Sequence, residues 1–495
     1  MLRNCNYGIL NGSHEYAAGN AWRPRSSHTR GRWLMLKAQD GAGESRQTGG
    51  TGSRFPWYFW TILGVWAIAA IWQSGGGGLN VELEQYLPYH LSSKPFFNKI
   101  YDSRMMEVGH QYQCRELSYA IDEMDCRFLA WSAHMGVPHL LSLSYFLCVF
   151  GISLLLWRFF VADLKLDRTV ACTLLALYLT APCVYLTTSC FRAAKIALTL
   201  ALAILARQLW RGLRNNDSGY ARWTLFAVVA FAATICDRQG FYFMLVTAVC
   251  LAVLCALRRT RAAVVALVAS LAVVGLSTVY NHLIGPYLTF RLNGYWPDLT
   301  FQNLPWQVFR AAPGAYIWAG VGELLDTTRF MFGSFPSVLV LPFLAAAVFF
   351  IAKRHGRVWA SIAGLLLLSL AAMNTLMTLR HPPLIWPDIR RVYYWLPETL
   401  LLAIIAGIAL AARFPKGNIA VRSVLAAALI GNVIAIPGHL AVLAAGHPHP
   451  RILFDRPALD RPRSPTFNAD LRRALATRKA TPEIAADPVY RALTQ

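Results

Sequence analysis

The sequence predicts an all-α membrane protein with about eleven transmembrane helices and a long helical first loop on the non-cytoplasmic side. Three observations predict it. Of 495 residues, 56% are hydrophobic and only 15% charged, against roughly 25% charged in a soluble chain. The apolar residues are clustered: 262–280 and 331–352 run without a single charge, long enough to cross a hydrocarbon layer of about 30 Å as helix. These runs are continuous Leu, Ala, Val and Ile rather than alternating, which selects helices over a membrane β-barrel.

Residues 1–54 are polar, rich in Gly, Ser and Arg, and lack an apolar core, so they read as a disordered cytoplasmic tail. A polytopic domain follows over 55–445. Its spans are expected near 56–73, 137–157, 169–189, 194–210, 223–236, 241–257, 262–282, 330–352, 358–378, 393–412 and 423–445. The first span then acts as the uncleaved insertion signal.

Lys and Arg in short loops set the orientation. The N-terminal tail is basic, and so are Arg207/Arg211/Arg214/Arg222, Arg258/Arg259/Arg261, Lys353/Arg354/Arg357 and Arg413/Lys416/Arg422. This span count puts all of them on one side, the cytoplasmic one, in a plasma (inner) membrane. The opposite face receives the first loop, 74–136, and two tight turns, 190–195 and 237–240. It also receives a second long loop, 283–329, a shorter one, 380–391, and the polar C-terminal tail, 446–495. That tail is itself basic, but long tails translocate with little regard to charge.

A net charge of +22 suggests nucleic acid as a partner. The cations, however, sit in clusters between spans, where a membrane protein keeps them, so no nucleic-acid partner is expected. Cys114 and Cys126 flank an acidic cluster and could pair in an oxidising compartment. A continuous helix between them would hold them about 18 Å apart, too far for a bridge, so two free thiols are an equal reading.

The first loop holds the densest polar group, from Gln113 to Phe128. On a helix, Arg115, Tyr119 and Asp122 share a face, as do Glu116, Tyr119 and Glu123, and Asp122 lies one turn from Asp125. Stacked carboxylates at a membrane surface shift one another's pKa, bind a cation or act as a general base. A divalent cation is the one cofactor this cluster suggests. The bland alternative is a solvated amphipathic helix on the interface.

The turn holding Arg192 and Lys195 puts two cations where spans three and four meet, on the face otherwise poor in basic residues. With a helix N-terminus beside them they make a phosphate site, or they snorkel to lipid head groups. In the turn of Asp237 and Arg238 an internal ion pair is the simpler explanation; Asp237 is also a candidate base. Between Arg380 and Pro397 stand His381, Asp388, Arg390, Arg391 and Tyr393, with aromatics that suit an interfacial belt. Arg390 and Arg391 among them would suit a phosphate. The segment from Arg291 to Asp298 could contact a sugar through ring stacking and amides.

Acids in a long first outer loop, a basic turn between spans three and four, and the late motif Arg391-Val-Tyr393-Tyr394-Trp395-Leu396-Pro397 form a set. It resembles the GT-C class of polytopic glycosyltransferases, which includes protein O-mannosyltransferases and lipid A aminoarabinose transferases. The resemblance covers 55–445 in layout and 116–125, 192–195 and 391–397 in motif. It implies transfer of a sugar from a polyprenyl-phosphate carrier to a lipid, glycan or protein acceptor. A first-loop carboxylate would be the base: Asp122 matches best, then Glu123 and Asp125, with Glu116 the remaining acid. Arg192, Lys195 and Arg391, with Arg390 and Arg238, would hold the carrier phosphate. Arg115, Tyr119, Asp237, His381, Asp388 and Tyr393 would serve the acceptor or support the site. The acidic pair that the class carries directly after span one is absent, and glycines 75–78 stand there instead.

Two other functions compete. An O-antigen polymerase or ligase would lean on Arg380, His381 and Arg390. A lipid or solute transporter would bury polar residues mid-span, where Asn374 and Asn432 are nearly the only ones expected; no internal repeat supports one built from inverted halves.

Overall fold

The computed structural model describes residues 55–76, 87–103, 111–135, 143–185, 193–299, 306–333, 335–380, 394–444 and 465–494. Among the described residues there is no β-strand, only an isolated bridge between Gln111 and Asp298.

The chain begins with α1 (Trp57–Gly76), the short α2 (Phe96–Ile100) and α3 (Glu116–His134). Helix α4 (Leu143–Arg158) runs into a π turn, Phe159–Asp163. Helix α5 (Arg168–Leu179) starts where the Asp167 carboxylate accepts from the Thr169 and Val170 N–H groups. Next come α6 (Ala194–Arg214), α7 (Tyr220–Cys236) and α8 (Arg238–Arg258). Helix α9 (Arg261–Val279), capped by the Thr260 hydroxyl, continues through a π turn to Asn293 as one 33-residue rod. It closes on Gly294 at φ 74°, a backbone angle that favours glycine. The longer helices that follow are α10 (Pro313–Met331), α11 (Val340–His355), α12 (Arg357–Arg380), α13 (Leu396–Arg413), α14 (Ile419–Ala444) and α15 (Pro465–Thr477), and two short C-terminal helices, Pro482–Ala486 and Pro488–Thr494, come after α15.

Seven of these are long and apolar enough to cross a membrane: α4, α6, α8, α9, α12, α13 and α14. The chain is an all-helical, multi-pass membrane protein. Of the other four expected spans, three are helices of 12, 17 and 16 residues, and α1 is the fourth. That near 169–189 stops at Leu179, because Pro182, three residues on, cannot donate to the preceding turn. That near 330–352 loses its first ten residues: α10 ends at Met331, Gly333 takes φ 97°, and helix resumes only at Val340. The second long loop begins near 294 rather than 283, since α9 does not stop at Tyr280, and α10 occupies part of it.

Helix α6 lies at the centre, against α4, α7 and α13. In lipid the hydrophobic effect does not drive helices together; close packing does, and small residues permit it. Gly320 of α10 is one such residue, since a Cβ there would lie 2.5 Å from the Thr375 backbone nitrogen of α12.

The two ends of the bundle differ in charge. At one end Arg207 pairs with Asp163 at 2.6 Å, Arg422 with Asp167 at 3.3 Å, and Arg258 donates to the His355 carbonyl. These contacts draw on all four basic clusters that follow the N-terminal tail, and the Trp210 ring, 5.8 Å from that of His355, links the two pairs. At the other end α3 lies across the starts of α4 and α6 and the end of α7. The C-terminal helices pack there too: Leu471, Leu475, Ile484 and Leu493 share a core with Leu87, Cys126, Leu129 and Ala133. First loop and C-terminal segment thus pack together at one end of the bundle.

Candidate functional site

Helix α3 is no solvated amphipathic helix. Glu116, Ser118, Tyr119, Asp122, Glu123, Asp125 and Cys126 are all buried. Burial forces each carboxylate to find partners, and each turns to a different one.

Asp122 reaches α6: its Oδ1 accepts from the Ala193 backbone N–H at 2.8 Å, and the Ser118 hydroxyl stands 3.4 Å from Oδ2. It thereby satisfies one of the orphan donors at the start of that helix. Asp125 does the same for α4, accepting from the Ser144 N–H at 2.9 Å and its hydroxyl at 2.5 Å. Glu123 faces the rest of the first loop, within 3.0 Å of His90 Nδ1, Lys99 Nζ and the Arg127 guanidinium. Burial pushes its carboxyl up, but the bonds from His90, Arg127 and Lys99 outweigh that and hold it at about 2. Glu116 accepts from the Tyr112 hydroxyl at 2.6 Å through Oε1, while its buried Oε2 has no partner. Burial raises it to about 7, against the pull of the Tyr112 bond. Gly285 permits this packing, because a Cβ there would lie 1.7 Å from the Tyr112 hydroxyl oxygen.

Two cations converge on Asp237. Lys195, two residues beyond Ala193, is buried with Nζ 2.7 Å from Asp237 Oδ1 and 3.0 Å from Gln239 Oε1. Its ammonium also lies 5.0 Å from the centre of the Tyr394 ring. Arg115, at the start of α3, reaches Asp237 from the other side at 3.3 Å. The expected ion pair internal to the 237–240 turn does not form. Asp237 pairs with Lys195 and Arg115, 42 and 122 residues away in sequence, and Arg238 lies over the Tyr242 ring. Burial alone would raise the Asp237 carboxyl; the two cations more than offset it and hold it below the usual range.

Of the residues singled out in the sequence, Arg115, Lys195 and Asp237 are thus one connected group, and Asp122 adjoins it through the backbone of Ala193, two residues before Lys195. Glu123, Asp125 and Glu116 point elsewhere, and Tyr119 packs with Ile100. Arg192, His381, Asp388, Arg390, Arg391 and Tyr393 lie outside the described residues, though Ala193 and Tyr394 adjoin two of these segments. Among the described residues no three His, Cys, Asp or Glu side chains gather as metal ligands, because the four α3 acids diverge. Cys114 and Cys126 are buried free thiols. The segment proposed for sugar contact is knit to the first loop: Tyr295 donates to Asp102 at 2.9 Å and the Tyr112 N–H to the Asp298 carbonyl at 2.8 Å.

Sequence reasoning named Asn374 but missed two acids inside the bundle, Glu323 and Glu398. Glu398 of α13, Glu323 of α10 and Asn374 of α12 are each less than 7% exposed. An acid one residue past the Leu396-Pro397 step, at the mouth of an apolar span, was the available signal.

Comparison with known proteins gives no match: no family model, no curated protein and no solved structure matches this chain.

Proposed function

We propose that this chain is a glycosyltransferase of a cell-envelope membrane, moving a sugar from a polyprenyl-phosphate carrier to a lipid, glycan or protein acceptor. One observation carries the reading. The Asp122 carboxylate bonds to Ala193, in the turn that bears Arg192 and Lys195, so a first-loop acid and the basic turn meet at one end of the bundle. The donor is lipid-linked, so that boundary is where its phosphate resides. The Lys/Arg asymmetry makes it the non-cytoplasmic face of a plasma (inner) membrane, with the N-terminus cytoplasmic.

In this mechanism the acceptor hydroxyl gives its proton to Asp122 as its oxygen bonds to the anomeric carbon. The bond from that carbon to the phosphate oxygen breaks, and polyprenyl phosphate departs. Arg192, Lys195 and Arg391 stabilise its charge where water is scarce. Arg115 and Asp237 fix the position of Lys195.

Asp122→Asn isolates the proposed step, since asparagine keeps an oxygen to accept from Ala193 and loses the basic charge. In isolated membranes supplied with radiolabelled polyprenyl-phosphate sugars, transfer is expected to fall at least about a hundredfold. Full transfer by a correctly inserted variant removes the base.

A transporter is the second reading, favoured by Glu323, Glu398 and Asn374 inside the bundle. It expects solute movement across liposomes that Asp122→Asn leaves intact.

A further inference from the structure

Helix α9 is longer than a membrane requires. Its 33 residues run about 50 Å at 1.5 Å per residue, against about 30 Å of hydrocarbon. It starts at Arg261, in the basic cluster of Arg258, so the surplus lies at the other end, beyond about Tyr280.

The outward face does not change character there. Val264, Val268, Leu271, Val279, Leu283 and Tyr287 lie on one stripe at helical spacing, each between 45% and 62% exposed. Phe290 continues it, and the π turn does not interrupt it. The opposite stripe, Ser270, Ser277, Asn281 and Thr289, is buried. Large apolar side chains standing in water are disfavoured, whereas in lipid that cost disappears. A tilt of about 25°, ordinary for a transmembrane helix, keeps the whole rod within the roughly 45 Å of a bilayer and its head groups. Phe290 and Trp296, with rings 6.2 Å apart, then stand in the head-group layer, where aromatic side chains gather.

The first loop is tied to this stretch at three points. The Tyr101 and Tyr280 hydroxyls meet at 2.8 Å, the Asn98 amide donates to the Leu292 carbonyl, and the Asn293 amide donates to the Asn98 carbonyl at 3.0 Å. Tyr280 is about 30 Å along the rod, at the edge of the hydrocarbon. Helix α2 is therefore held at that depth. It buries Lys99 and Ile100 and leaves Phe97 63% exposed.

We propose that α2, residues 283–293 and Trp296 form an aromatic shelf seated in the lipid head-group layer, with the phospholipid surface as its partner. Continuity selects that partner, because the stripe runs unbroken from a span whose exposed face already meets lipid. The proposal does not depend on the transferase reading.

The test places a spin label on single cysteines replacing Phe97 or Tyr287, in the full-length chain with its native cysteines replaced, in phosphatidylcholine nanodiscs. Both side chains are exposed, so the core is left intact. Oxygen partitions into lipid and a polar nickel chelate into water, so the ratio of their collision rates reads depth. At both positions this ratio is expected to stand well above that at Arg473, on α15, and to approach that at Val268. A ratio at either position no higher than at Arg473 overturns the shelf. Spin–spin broadening between copies at either position overturns it in favour of a second copy of this chain. The unsubstituted protein gives an independent reading. A phosphatidylcholine carrying a photoactivated carbene precursor beside its head group should label residues 96–97 and 287–290, and labelling confined to 264–279 overturns the proposal.

Discussion

Lys195 and Asp237, 42 residues apart in sequence, meet at 2.7 Å with neither side chain more than 3% exposed. Arg115 shares the same carboxylate at 3.3 Å. Removing one partner of a buried pair leaves the other charge uncompensated, at about 3–5 kcal/mol. The two halves of this contact are unequal. Lys195→Met leaves Asp237 with Arg115, whereas Asp237→Asn leaves two cations facing one another. Thermal unfolding in detergent should therefore rank Asp237→Asn as the more damaging change, and the reverse order would show that Arg115 does not share the carboxylate.

Glu116 makes stability fall as pH rises. Its carboxyl stands at about 7 in the fold, above the ordinary 4.5, so the folded chain binds more protons than the unfolded one between those values. The contribution is fully present below about 4.5 and lost as pH rises through about 7. Glu116→Gln removes it, so the variant should match the parent near pH 5 and melt higher near pH 8. Equal melting differences at both pH values would count against a protonated Glu116.

Glu123 acts in the opposite direction. Held at about 2, it stabilises the fold above about 4.5, and that stability is lost as pH falls towards 2. Glu123→Gln should lower the melting temperature at neutral pH, leaving Lys99 buried without its anion, and should flatten the acid limb of the pH profile. An unaltered acid limb would mean that other carboxylates set it.

Gly240 fixes the turn that carries Asp237 and Gln239. A Cβ there would lie 2.1 Å from the Ala233 carbonyl oxygen, and that backbone atom cannot rotate away. Gly240→Ala should displace α8 from α7 and lower both stability and transfer. Gly275→Ala, with nothing within 4 Å of the added carbon, should be close to neutral and is the paired control.

The packing of the C-terminal helices on α3 predicts that both lie on one side of the membrane. Single cysteines replacing Arg127 and Lys479, introduced into a chain whose native cysteines are replaced, should be labelled from the same side of the membrane. One replacing Arg259 should be labelled from the other. Labelling of Arg127 and Lys479 positions from opposite sides would break the core that Leu129 shares with Leu475.

Much of the architecture was legible in composition. Continuous, non-alternating runs of Leu, Ala and Val select helices in lipid, and the four Lys/Arg clusters after the N-terminal tail meet at one end of the bundle. Helix ends were less legible: α5 stops early at a proline step, α10 and α11 part at Gly333, and α9 runs 11 residues past 282. Hydropathy averages over such local events. The convergence of Arg115, Lys195 and Asp237 was beyond reach of the sequence, because pairing across 42 and 122 residues depends on which helices pack. So was the divergence of four acids that share one helix: whether neighbouring carboxylates cooperate depends on what the burial of each brings within about 3 Å. Composition and continuous apolar runs settled that this chain is a helical membrane protein, because lipid demands internal backbone bonds and the runs do not alternate as a barrel's would; only the packing of its helices decided which charges face one another.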